Sequence, residues 1–141
     1  MINWNDKRFP CGKGSIEISG STLKDTFNII HEYAKRQEKI PYSELINRLK
    51  QKGNKKISRR TIGFIVGEVS IQVSSDTKSS IYPSAIVIRK DSSIPGEGFW
   101  GVDSGTTPPS DCPKEHRKIE LQKYQKNVFD WGSNIRKFVK D

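Results

Sequence analysis

Apolar residues recur at helical spacing in four stretches of the chain. Leu23, Phe27, Ile30 and Ala34 fall on one face of a helix. Thr22 stands where a hydroxyl caps a first turn, and Asp25 follows three residues on as in a capping box. Pro41 suits the start of a second helix, because its missing N–H has no partner there anyway. Leu45, Ile46 and Leu49 would turn inward, and Gly53-Asn54 ends the pattern. Ser58 is the expected cap of a third helix, with Arg59 and Arg60 in its first turn and Ile62, Ile65, Val66 and Val69 facing the core. The fourth stripe, Leu121, Tyr124, Val128, Trp131, Ile135 and Phe138, predicts a helix from Glu115 to about Lys137. Gly132 and Ser133 weaken it, since a glycine inside a helix costs roughly 1 kcal/mol relative to alanine.

Strand patterns are shorter. Ser15–Ser19 alternates after the turn signals Phe9-Pro10 and Gly12-Lys13-Gly14, so residues 1–21 read as irregular or as a short hairpin. β-Branched content rises from Val69. Ser84–Arg89 reads as a strand, Asp91–Gly98 as a turn and Phe99–Val102 as a returning strand. Residues 103–114 form a loop rich in Pro, Ser and Gly, and 115–141 carry the last helix. Helix, helix, basic turn, helix and hairpin over 22–102 is the order of a winged helix-turn-helix. The expected fold is therefore α+β, a winged helix-turn-helix-like core with a β-hairpin wing and an additional C-terminal helix.

Charge sharpens this picture. The 141 residues suffice for one domain, and 25 basic against 16 acidic residues give a net +9. Such a chain attracts polyanions. No run of 18 apolar residues exists, so no membrane partner is expected, and the opening MINWNDKRFPCGKG lacks the apolar segment of a secretory signal. The expectation is a cytoplasmic protein with Cys11 and Cys112 as free thiols. Between Leu45 and Arg60 there are seven Lys or Arg and no Asp or Glu. Lys52, Lys55 and Lys56 suit DNA phosphates, and Arg59 or Arg60 suits guanine edges in a double-stranded major groove. Tyr42 or Ser43 would donate to phosphate from the start of the second helix, and Arg89, Lys90 and Trp100 would sit on the wing. Solvation of the lysines and packing of Trp100 is the plain alternative.

The span from Ile40 to about Gly101 resembles the DNA-binding domain of O6-alkylguanine-DNA alkyltransferases and alkyltransferase-like proteins. Ile40-Pro41-Tyr42 and Tyr42-Ser43-Glu44-Leu45 are similar to the segment that leads that family's second helix. Arg60-Thr61-Ile62-Gly63 follows its Arg-x-Val-Gly form, in which the arginine enters the base stack. Pro83-Ser84-Ala85-Ile86-Val87 stands where the family has Pro-Cys-His-Arg-Val. The resemblance implies the fold and DNA binding. Ser84 replaces the acceptor cysteine, and Ala85-Ile86 replace the activating His-Arg, so alkyl transfer is not expected. Base flipping without chemistry is compatible with it. Pro95-Gly96-Glu97-Gly98-Phe99 also looks like a segment of uncharacterised bacterial and mobile-element proteins.

Two other functions compete with a non-catalytic DNA-binding protein. A phage or mobile-element interaction or inhibitor module would use the turn at Pro95–Gly98 or the stripe of Leu121, Tyr124, Val128 and Trp131, which also suits a homodimer seam. On that reading the core closes without the last helix. A metal-dependent nuclease would draw on Asp91, Glu97, Asp103 and Asp111 with Lys90, whose spacing matches no strong motif. Cys112 and His116 have ligand-like spacing, but two cysteines and two histidines fall short of a zinc site, so no cofactor is expected. His31 is expected on an exposed helical side.

Overall fold

The computed structural model describes residues 2–11, 13–54, 57–95, 99 and 114–133. It is a small α+β domain. In chain order the described elements are β1 (Lys7–Cys11), β2 (Gly14–Ile18), α1 (Gly20–Lys35), β3 (Ile40–Pro41), α2 (Tyr42–Gln51), α3 (Ile62–Thr77), a 3₁₀ turn (Pro83–Ile86), β4 (Val87–Ile88), a second 3₁₀ turn (Lys114–His116) and α4 (Arg117–Ser133). β1 and β2 pair antiparallel, with Phe9 opposite Ile16 and Cys11 opposite Gly14. β3 and β4 pair in parallel, Ile40 with Val87 and Pro41 with Ile88.

α1 starts before the expected cap. Ser19, not Thr22, is the cap: its Oγ accepts from the Thr22 N–H at 3.2 Å. The helix continues back to Gly20, whose N–H donates to Asp6 Oδ1 at 2.8 Å. Glycine is required here because a Cβ would lie 2.1 Å from the Trp4 carbonyl oxygen. The Thr22 hydroxyl donates instead to Asn54 Oδ1 at 2.6 Å, and Asn54 Nδ2 donates to Asp25 Oδ2 and to the Leu49 carbonyl. The residues expected to form a capping box thus hold the loop that follows α2.

α2 ends as expected at Gly53, which takes the left-handed conformation (φ 96°). The Asn54 N–H reaches back to the Leu49 carbonyl and the Gly53 N–H to that of Lys50, the paired bonds of a Schellman ending. α3 runs eight residues past the expected core position Val69. Its β-branched residues do not break it, because Ile62, Ile65, Val66, Val69 and Val73 are all buried and packing outweighs a weak propensity. The strand expected over Ser84–Arg89 shrinks to Val87–Ile88, preceded by the 3₁₀ turn that Pro83 opens. β4 pairs with β3, so no wing hairpin forms from it among the described residues. Of the returning strand, Phe99 is buried beside Tyr82 and Tyr124, and 100–102 lie outside the described residues.

α1 packs against α2, α3 and α4 around one core. Leu121, Tyr124, Val128 and Trp131 are buried in it, so the chain itself fills the seam expected through those four. α4 therefore completes the core rather than hanging from it. Gly132 is where α4 crosses α1: a Cβ there would lie 2.5 Å from the Ala34 carbonyl carbon. The glycine that weakens the helix permits the crossing. Gln37, just past α1, has positive φ (61°), and its Nε2 lies 2.9 Å from each of the Ala34 carbonyl, the Phe129 carbonyl and Ser133 Oγ. Ile135 and Phe138 lie outside the described residues. No helix among those described is long and apolar enough to cross a membrane.

Candidate nucleic-acid interface

The expected site residues fall into two groups. The first surrounds the entry to α3. Lys52 is the exposed residue that follows the last position of α2, and Arg59 and Arg60 are exposed in the turn Ser58–Thr61. Lys55 and Lys56 lie between them, outside the described residues. The turn is tightly bonded: the Ser58 carbonyl accepts from the Thr61 and Ile62 N–H groups, and the Ser58 N–H donates to Thr61 Oγ1 at 3.0 Å. Ser58 therefore opens a turn ahead of the helix instead of capping it, and the arginines lie just before α3. At the start of α3 the Ile62 N–H donates to the Ser58 carbonyl, and the Phe64 and Ile65 N–H groups donate to that of Thr61. An anion here would be met chiefly by the exposed Arg59 and Arg60 guanidinium groups.

The second group is set by the β3–β4 register. Pro41 lies opposite Ile88, so Tyr42 and Arg89 are each the first residue past the paired strands. Tyr42 is half-buried, while Ser43, Arg89 and Lys90 are exposed. The backbone after β4 closes a turn, with the Arg89 N–H donating to the Ile94 carbonyl at 2.8 Å and the Ser93 N–H to the Arg89 carbonyl at 2.9 Å. Ser93 takes a left-handed φ of 59° to allow it. Trp100 lies outside the described residues.

Among the described residues, Lys52, Arg59, Arg60, Arg89 and Lys90 have no ion-pair partner. The basic residues that are paired lie elsewhere. Arg36 and Arg48 both reach Glu32 and both lie 5.5 Å from the Tyr33 ring centroid. Asn54 was not expected at the site, yet it anchors the loop that carries the first group. Its signal in the sequence was its place just after Gly53.

Ser84 is buried within the fold. Ser70 Oγ, on α3, donates to Ser84 Oγ at 2.8 Å and accepts from the Ser84 N–H at 2.9 Å. Gln125 of α4 donates to the next carbonyl, that of Ala85, at 3.0 Å. The hydroxyl sits in a closed polar contact between helices.

Of the candidate nuclease acids, only Asp91 is among the described residues. Asp91 is exposed in the Arg89–Ile94 turn, Glu97, Asp103 and Asp111 lie outside the described residues, and no group of three metal-ligating side chains occurs among those described. His116 is exposed; Cys112 is outside the description. His31 is not on an open helical side. Its ring stacks on Phe27 at 5.9 Å and meets Trp131 edge-on at 4.8 Å, with a buried Nε2. Burial, then the nearby Lys35 charge, lowers its pKa. No family model, curated protein or solved structure matches this chain.

Proposed function

We propose that this chain is a non-catalytic, double-stranded-DNA-binding protein, in which α2 and α3 act as a helix-turn-helix. One observation carries the reading: the exposed cations around the α3 entry are uncompensated, on a loop that hydrogen bonds hold in place. An exposed basic turn without counter-charges concentrates positive potential that attracts a polyanion. Arg59 and Arg60 would read or penetrate the groove, and Lys52, Lys55 and Lys56 would neutralise phosphates. The Arg89–Ile94 turn, beside the start of α2, would take the flanking place of a wing.

The likeness to alkyltransferase-like proteins belongs to the same proposal, as a shared fold without alkyl transfer. The order α2, turn, α3 and the Pro83–Ile86 turn supports it. The burial of Ser84 and its bonds to Ser70 argue for a structural hydroxyl at that position. The test is fluorescence anisotropy of a labelled duplex across a salt series. Micromolar or tighter binding is expected, with log affinity falling linearly with log salt. Arg59→Glu/Arg60→Glu should weaken it at least tenfold; unchanged affinity would sink the interface.

A further inference from the structure

The N-terminal hairpin packs on α3 near its basic entry. Phe9 of β1 stacks on Phe64 of α3, centroids 5.4 Å apart and rings 17° from parallel. Phe64 is the third residue of α3, four residues after Arg60. The β1–β2 hairpin is thereby fixed next to the basic entry of α3.

A two-stranded hairpin is marginal alone and needs such anchoring. Three contacts provide it: the Phe9–Phe64 stack, burial of Ile18 in the core and the Asp6 bond to Gly20 at the start of α1. The hairpin's own charges divide. Arg8 is neutralised across the strands by Glu17 at 3.1 Å and also donates to Ser15. Lys7 at the base and Lys13 at the tip are exposed, with no ion-pair partner among the described residues. A hairpin with charge at both ends and an internally satisfied pair between them is suited to lie along a phosphate backbone.

We propose that the N-terminal β-hairpin is the second arm of the DNA interface, with Lys7 and Lys13 contacting backbone phosphates beside the groove entered by α3. This rests on the duplex-binding reading above. The experiment compares full-length Lys7→Gln/Lys13→Gln with wild type by duplex anisotropy across a salt series. Lys118→Gln/Lys126→Gln on α4 serves as a charge-matched control. Each phosphate contact contributes about 0.9 to the slope of log affinity against log salt. The hairpin variant should therefore lose roughly two units of slope, while the control keeps the wild-type value. A wild-type slope in the hairpin variant, with duplex binding intact, would overturn the second arm and leave the α3 interface standing. Equal loss in the control would also overturn it, since any surface lysine would then serve. Absence of wild-type binding would bring down the DNA-binding proposal itself, and the arm with it.

Discussion

Gly132 and Ala34 meet with no room for one additional carbon. The atoms that crowd a Cβ at position 132 include the backbone of α1, which cannot swing aside as a side-chain end would. Gly132→Ala should therefore destabilise by roughly 1–3 kcal/mol, the range of overpacked cores, despite the better helix propensity of alanine. Urea denaturation followed by circular dichroism measures it. His31 supplies a second residue-scale test. Its folded pKa is lowered, so the unfolded chain binds its proton first, near pH 6.5. Stability from this group is fully present above that pH and is lost as pH falls towards the folded value. The urea midpoint should drop between pH 7.5 and 5.5, and His31→Phe should remove much of that drop. A midpoint drop identical in the variant would count against His31 as its source.

Among the elements, the α2–α3 loop depends on Asn54, which bridges Thr22, Asp25 and the Leu49 carbonyl. Asn54→Ala removes these bonds and leaves partly buried acceptors and donors behind. A loss on the order of 1–3 kcal/mol is expected. Duplex affinity should fall too, although Asn54 bears no charge, because the loop bearing Lys52 loses its anchor. The elements also show what periodicity can and cannot reveal. The buried faces of α1 and α2 were legible because each helix has one wet side, so Leu23, Ile30, Ala34, Leu45 and Leu49 stood out against polar neighbours. The second half of α3 was not. Val69, Ile71 and Val73 alternate like a strand, and buried Ser70, Ser74 and Thr77 look polar although their hydroxyls are bonded inside the fold. The run 81–88 is buried throughout, so it has no wet side from which to read a period. The β1–β2 hairpin was visible from its turn residues; its place beside α3 was not, since Phe9 and Phe64 are far apart in sequence.

For the whole molecule, the position of α4 decides what truncation does. Val128 and Trp131 are buried as deeply as any residue of α1. A chain ending at Lys114 should not keep a folded core, contrary to the sequence-based expectation. Loss of a cooperative thermal transition is the expected result. The basic site was legible as composition, because a run without acids needs no fold to be noticed. That the start of α2 adjoins the end of β4 was not, since that follows from the parallel pairing of Ile40–Pro41 with Val87–Ile88.

Trp4, near the start of the chain, lies 5.4 Å from Phe27, and Trp131, near its end, lies 5.7 Å from the same ring. Two tryptophans from distant parts of the sequence thus close on one residue of the first helix. During synthesis, the opening segment waits beside a half-made site until α4 has left the ribosomal tunnel. Folding of this domain should wait for α4 to emerge, because local contacts made earlier leave Phe27 uncovered. Ribosome-bound chains stalled with residue 131 still in the tunnel should be digested readily by protease. Chains stalled roughly forty residues later should resist it.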